Sequence, residues 1–470
     1  MKKETNMRKT LIWIIAILTI LLGTICGILG YQYKYRNEHI FVEDAVYEKT
    51  LTTLDLRGTG RSLEHYQEVR QLLPACEIRY DLPFQGEFYP DDTANLTITS
   101  LTEEDIDLLE YLPQLKTVHA EDCEDYDMLM LLRERRPEVK VLYTVSICGK
   151  DYPQNTDELF YGSEQLDLQE LSAGLKYLPK LQTIHFDHPT APPEELISLR
   201  ESWPDIDITW EKAAFGTVYR SDVTEIDLTG MQFASLDEVE EALAYFPDLE
   251  KVILSECGPE PKTWFDNETM AEFREKMRPQ YKVVWTVKIS NMRVRTDETY
   301  FMPNKYGEVV SNYQVQNLRY CEDMLCIDLG HQPIVDLSFL EGTPHLKYFI
   351  CIDSPLIYIE PISNCKELIY CELFWTVISD YSPLLECTSL QDLNVCRTKG
   401  DPMFFKDMPW LKNLWITGYW MNPSDKEELS AALPDTFIKF SDNNMTRNGW
   451  RDLQNYFDMR ELLGMPANRW

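Results

Sequence analysis

His345–Ile352 reads HLKYFICI, Glu367–Phe374 reads ELIYCELF, Ser389–Cys396 reads SLQDLNVC and Trp410–Thr417 reads WLKNLWIT. The four stretches share one frame, a leucine followed by apolar residues three and five positions on. Their first leucines are Leu346, Leu368, Leu390 and Leu411, at steps of 22, 22 and 21 residues, and Leu433 stands another 22 on. Before the first lies IVDLSFLEGTP and between the next lie YIEPISNC and ISDYSPLLECT, each with an apolar pair that can fold back under the strand. One strand with its return segment cannot bury its apolar side alone, whereas stacked copies share a continuous core. Such strands lie side by side at about 4.8 Å. The expected fold is α/β, a curved parallel sheet with outer helices and turns, grown by addition.

A longer repeat precedes the short one. EIRYDLPFQGEFYP, KVLYTVSICGKDYP, DITWEKAAFGTVYR and KVVWTVKISNMRVR align, with aromatics at Tyr80, Tyr143, Trp210 and Trp285. A proline precedes each block: Pro74, Pro137, Pro204 and Pro279. LPQLKTVHA, LPKLQTIHF and FPDLEKVIL fall between them, anchored by Leu115, Leu181 and Leu249. The amphipathic runs TEEDIDLLEYL and SLDEVEEALAYF read as outer helices. The inserted Gly-x-x-Tyr pieces read as small turns or hairpins at the edge of the stack.

The short frame resembles the 22-residue leucine-rich repeats of bacterial internalin-like surface proteins, over about Met324 to Phe440. The upstream repeats resemble irregular leucine-rich-repeat proteins of Gram-positive gut bacteria, in composition only. The resemblance implies a leucine-rich-repeat solenoid and a binding role.

Leu11 to Leu29 is apolar apart from Thr19, Thr24 and glycines, long enough to cross a bilayer as one transmembrane helix. Lys2, Lys3, Arg8 and Lys9 precede it, while Lys34 and Arg36 follow and are soon answered by Glu38, Glu43 and Asp44. The positive-inside rule puts the N-terminus in the cytoplasm and the rest outside the cell membrane. A cleaved signal peptide is the alternative. The chain is therefore expected to comprise a cytoplasmic N-terminus (1–9), a transmembrane anchor (10–30) and a stalk (31–50). Irregular repeats (51–320), regular repeats (321–440) and a C-terminal cap over the last coil (441–470) follow.

The formal net charge is −33, from 78 acidic and 45 basic residues among 470. That repels nucleic acid and anionic head groups and favours basic partners or divalent cations, besides promoting solubility. The 12 cysteines include no CxxC pair and no zinc spacing. Cys321, Cys365 and Cys387 share one repeat position, with Thr343 between the first two. They read as a buried stack of small residues, with a Cys365–Cys387 disulfide as the alternative.

Strand alternation puts side chains at steps of two on one face. The frame thus places Tyr348, Ile350 and Ile352, then Tyr370, Glu372 and Phe374, then Asp392 and Asn394, then Asn413, Trp415 and Thr417 on an exposed concave face, with Trp375, Tyr419 and Trp420 at strand ends. Aromatics interleaved with Asp, Glu and Asn are the chemistry of a binding surface. A one-residue slip would instead make them core. Upstream, the frame sets Asp167, His185, Asp207 and Asp227 on successive coils, as a metal row or as a solvated acidic stripe.

No G-x-S-x-G elbow, H-E-x-x-H pair or phosphate loop occurs, so no catalytic residue and no cofactor is expected. The sequence points to a membrane-anchored recognition or adhesion protein for a protein or surface polymer. A non-catalytic scaffold of a cell-envelope complex and a metal-dependent enzyme or sensor ectodomain are the rivals.

Overall fold

The computed structural model describes residues 2–442, 444–446 and 449–466. The chain forms two compact units, Met1–Ile208 and Thr209–Trp470.

The first unit opens with a 37-residue helix, Lys2–Glu38. Its apolar side chains from Leu11 to Leu29 are exposed almost throughout. Thr19 and Thr24 donate their hydroxyls to the carbonyls of Ile15 and Ile20, both at 2.7 Å, so neither adds an unpaired polar group to the apolar surface. By length and composition this helix can cross a membrane. The stretch read as a stalk is the end of this helix and a hairpin, His39–Val42 with Ala45–Glu48.

Short parallel strands follow, joined by helices. Thr53–Asp55 pairs with Glu77–Arg79, and Asn95–Thr97 with Thr117–Ala120 and then Lys140–Ile147. Glu158–Tyr161 pairs with Thr183–Asp187. The connecting helix Glu103–Leu109 shows why these residues are helical. The Thr102 hydroxyl accepts from Asp105 N–H while the Asp105 carboxylate takes the Thr102 N–H, satisfying end donors at both positions. Glu103, Glu104 and Asp105 sit at the positive end of the helix dipole. Ile106 and Leu109 turn inward.

The four aligned aromatic blocks are antiparallel hairpins: Asp81–Phe84 with Glu87–Pro90, Lys140–Ile147 with Lys150–Pro153, Asp207–Ala214 with Thr217–Arg220, and Thr286–Ile289 with Met292–Arg295. In the first three, both turn residues are left-handed: Gln85 and Gly86 (φ 50° and 85°), Cys148 and Gly149 (50° and 72°), Phe215 and Gly216 (51° and 81°). Two consecutive positive φ values match the right-handed twist of the flanking strands, which is why glycine recurs there. The marker aromatics Tyr80, Tyr143, Trp210 and Trp285 are buried, and each carbonyl accepts an N–H from the residue that leaves the hairpin. Their polar tips repeat as well. Tyr80, Tyr143 and Trp210 each donate to the carbonyl of a later tyrosine, Tyr111, Tyr177 and Tyr245. In the fourth block Trp285 Nε1 donates to the Asn267 side chain instead.

The second unit contains a parallel trio, Glu225–Asp227, Lys251–Ile253 and Lys282–Val284. A seven-stranded parallel ladder follows: β1 (Tyr300–Phe301), β2 (Cys326–Asp328), β3 (Tyr348–Ile350), β4 (Tyr370–Glu372), β5 (Asp392–Asn394), β6 (Asn413–Trp415) and β7 (Phe437–Lys439). The register is in frame from strand to strand, as Tyr348↔Tyr370↔Asp392↔Asn413. Central residues Ile327, Phe349, Cys371, Leu393 and Leu414 all face the core and are wholly buried. Burying each large side chain contributes roughly 1.5–3 kcal/mol.

The return segments are 3-10 turns, such as Ser338–Gly342, Glu360–Asn364 and Ser382–Glu386. Each ends in one aligned column: Cys321, Thr343, Cys365, Cys387 and Met408, all buried. The cysteines in this column are free thiols, and burial pushes each up to about 12. Helix Pro423–Ala432, capped by Asn422, replaces the 3-10 turn in the last return.

Gly342 marks where coils approach most tightly. A Cβ there would stand 1.8 Å from the Arg319 carbonyl oxygen. Backbone cannot swing aside as a side chain can, so Gly342→Ala should destabilise the chain by about 3 kcal/mol, the upper range for overpacking. A urea unfolding series reads this, and an unchanged midpoint would show that adjacent coils are not in this contact.

Candidate functional site

The outward residues of β2–β6 share one face, as the strand frame requires. This face holds Cys326, Tyr348, Ile350, Tyr370, Glu372, Asp392, Asn394, Asn413 and Trp415, extended by Ile352, Phe374 and Cys396. The register read from the sequence is therefore the observed one. The exposure is not. Tyr348, Ile350, Tyr370, Glu372, Phe374, Asp392, Asn394 and Trp415 are all buried, and Asn413 is half-buried.

The cover is the chain itself. The last described segment, expected over the final coil, lies across this face as a 3-10 turn (Trp450–Asp452) and a helix (Gln454–Leu462). Trp450 stacks on Tyr370 with centroids 5.0 Å apart and meets Trp415 at 5.2 Å. Tyr456, Met459 and Leu463 join the same apolar cluster.

Polar groups on the face are matched from the segment. The Arg451 guanidinium grips Glu372 with both outer nitrogens, at 3.1 Å each. Tyr370 donates its hydroxyl to the same carboxylate. Asn455 Nδ2 donates to Asp392 Oδ2 at 2.9 Å, and Asn413 Nδ2 to Asp392 Oδ1 at 2.7 Å. Asn394 Nδ2 donates to the Met445 carbonyl, and Lys305 Nζ to that of Leu463, both at 2.9 Å. The Arg451 guanidinium also sits 4.6 Å from the Tyr456 ring centroid. Burial raises the Asp392 carboxyl, against the two amide donors that favour its ionised form. The Glu372 side chain is wholly buried, so its pairing with Arg451 is obligatory: a lone buried charge costs roughly 3–5 kcal/mol.

A cavity of about 890 Å³ remains between face and segment, walled by Ile350, Ile352, Met459 and Leu463 and lined also by Asp328, His331 and Arg460. The Asp328 carboxylate accepts from Gly330 N–H at 2.9 Å. Burial, reinforced by nearby Glu372 and opposed by Gly330 N–H and Arg451, raises its carboxyl to about 6.

A second row was read from the sequence only at Trp375, placed at a strand end. Immediately past the strands, His331, Asp353, Trp375 and Arg397 recur at 22-residue steps, all left-handed (φ 61°, 51°, 59° and 59°). Each N–H bonds forward to the next coil, to the carbonyls of Ile352, Phe374, Cys396 and Thr417. That bond holds non-glycine residues in a conformation costing of order 1 kcal/mol or more each. Their side chains line an edge where His331 meets Asp353 at 3.0 Å and where Trp375 is exposed, with Trp420 just past the next strand exposed at 88%. The spacing was visible in sequence, whereas the left-handed backbone was not.

One member of the metal row read from the sequence does not stand on a strand. Asp167 is off the strands: it caps helix Leu168–Leu175, accepting from the N–H groups of Gln169 and Glu170 at 2.9 and 3.1 Å. An aspartate three residues before a glutamate is a helix-start pattern, and capping outcompetes a strand there. On one side of its strand His185 pairs with Phe160, and the two rings stack at 5.5 Å. Asp207 opens the strand Asp207–Ala214, and Asp227, in the second unit, accepts from Thr229 N–H at 2.9 Å.

No protein-family description matches the chain, and no curated protein matches it. Among solved structures it is similar to internalin C2 of Listeria monocytogenes, 15% identical over 50% of this chain and 83% of that one, TM-score 0.22. Internalin F of the same species is 12% identical over 85% and 94%, TM-score 0.26. A leucine-rich-repeat protein of Leptospira interrogans is 12% identical over 73% and 93%, TM-score 0.23. Likenesses at this level carry no argument about what the chain binds.

The Asp328 carboxyl holds its proton more tightly folded than unfolded, so its contribution is favourable at low pH and is lost as pH rises from 3.8 through about 6. Asp328→Asn removes that loss. Relative to the parent, the variant should gain stability between about pH 4 and pH 7, read from paired urea midpoints. A pH-independent difference would show that Asp328 titrates normally.

Proposed function

We propose that this chain is a membrane-anchored, extracellular recognition protein without catalytic activity, binding a protein or surface polymer through the ladder face and its adjoining edge. The observation that carries this reading is the contrast between the two sides of the same strands. Inward, β2–β6 present Ile327, Phe349, Cys371, Leu393 and Leu414. Outward they present Tyr348, Tyr370, Trp415, Glu372, Asp392 and Asn394. Packing alone calls for the first set. The second has the tyrosine, tryptophan and hydrogen-bonding composition of interface centres.

The exposed apolar helix Lys2–Glu38 supports an anchor. Lys2, Lys3, Arg8 and Lys9 before its apolar stretch outnumber Lys34 and Arg36 just after it, which favours an exterior placement of the repeats by the positive-inside rule. Such an anchor would hold a rigid binding surface at the membrane, and preorganisation lowers the ordering cost of association. The net charge of −33 favours a basic partner and disfavours nucleic acid.

The test is a binding screen with the soluble fragment 31–470, with and without calcium, against envelope polymers and purified surface proteins. A saturable partner should lose about thirtyfold or more in affinity when Trp375 and Trp420 are both changed to alanine, as hot-spot aromatics do. A partner indifferent to those changes and to Tyr348→Ala would place recognition elsewhere on the chain.

A further inference from the structure

We propose that the segment 444–466 is a self-ligand of the ladder face, and that this face takes a protein segment presenting an aromatic side chain followed by an arginine on one helical turn. The inference rests on the recognition reading and deepens it by naming the partner's chemistry and its competitor.

Three features separate this contact from ordinary core. Its anchors are a tryptophan, an arginine and a tyrosine, the residues that dominate binding hot spots. Trp450 fills a slot between Tyr370 and Trp415, while the next residue, Arg451, reaches Glu372. The polar matches run between the segment and strands far from it in sequence, as in Asn455 to Asp392 and the Met445 carbonyl to Asn394. They therefore specify a docked geometry rather than a local turn.

The fit is also incomplete. Among the described residues, the buried indole nitrogens of Trp415 and Trp450 have no acceptor, and an 890 Å³ cavity stays beside the helix. A buried donor without a partner weakens an interface. A ligand that supplied an acceptor to Trp415 and filled the space against Ile350 and Ile352 would fit better than the segment does.

The ladder has its own core without the segment. The inward row of β2–β6 packs into one cluster, and the outward row with Trp450, Tyr456, Met459 and Leu463 forms another. Lifting the segment uncovers the second and leaves the first closed. The uncovered face would carry Glu372, Asp392 and Asp328, a negative set complementary to a guanidinium. Tethering keeps the segment at an effective concentration on the order of millimolar, so an outside ligand competes against that occupancy.

The experiment uses fragment 31–470 with a protease site inserted between Phe440 and Ser441, and a labelled synthetic peptide of residues 441–466. After cleavage the peptide should exchange saturably into the nicked protein. The uncleaved protein should bind it at least about a hundredfold more weakly, because the tethered copy competes. Peptides with Trp450→Ala or Arg451→Glu should lose about thirtyfold or more. A fragment ending at Phe440 should bind the peptide likewise, and if it fails to fold the nicked protein decides alone.

Retention of the native piece without exchange until the nicked protein unfolds would overturn the proposal, since the segment would then be inseparable core. Equal peptide binding by cleaved and uncleaved protein would overturn it too. Dimers formed by exchanged segments would replace the outside partner with a second copy of this chain. Failure here with a partner still bound at Trp375 and Trp420 would leave the recognition reading intact. Exchange as expected, with no partner in the screen, would leave the self-ligand standing and remove that reading.

Discussion

A strand of three residues has one side chain facing inward, and that side chain is dry only if the coils above and below are in place. Everything in the ladder follows from this constraint. Ile327, Phe349, Cys371, Leu393 and Leu414 must stay in register, which fixes the 22-residue step. The returning 3-10 turns must close beneath them, which fixes the small column Cys321, Thr343, Cys365 and Cys387 and the bare Cα of Gly342 against Arg319. Stability of this kind is shared between neighbours rather than held in any one unit.

The same constraint frees the other face. Outward residues are not needed to close the inner core of the ladder, so their chemistry can answer to something else. Here it answers to the Trp450–Leu463 segment, which converts exposed tyrosine, tryptophan and carboxylate into a buried, mostly satisfied interface. The face is thus a surface with an occupant, and the edge carrying His331, Asp353, Trp375 and Arg397 is the part left open. Its left-handed residues hold their strain because each N–H is fastened to the next coil.

Much of the ladder was legible in the sequence. The leucine frame gave the strands, their register and the side each residue faces, since the period of two along each strand and the repeat of 21 or 22 between strands put Phe349, Cys371, Leu393 and Leu414 in one row. The aromatic super-repeat similarly marked hairpins at Tyr80, Tyr143, Trp210 and Trp285. What was not legible was long-range docking. Nothing in NGWRDLQNYFDMRELLGM states which surface its apolar side will meet, and the open end of the stack and the ladder face were equally apolar targets. The Asp167 misplacement has a different cause: strand and helix-start patterns overlapped, and side-chain capping decided locally.

The Glu372–Arg451 pair tests the account most directly, because it joins the ladder face to the segment through a buried charge. A double-mutant cycle with Glu372→Gln and Arg451→Met, read by equilibrium unfolding of fragment 31–470, isolates their coupling. The account predicts a coupling of about 2 kcal/mol or more, with each single change costlier than the pair changed together in proportion. Additivity within about 0.5 kcal/mol would mean the two side chains do not meet, and that the segment does not lie on the ladder face.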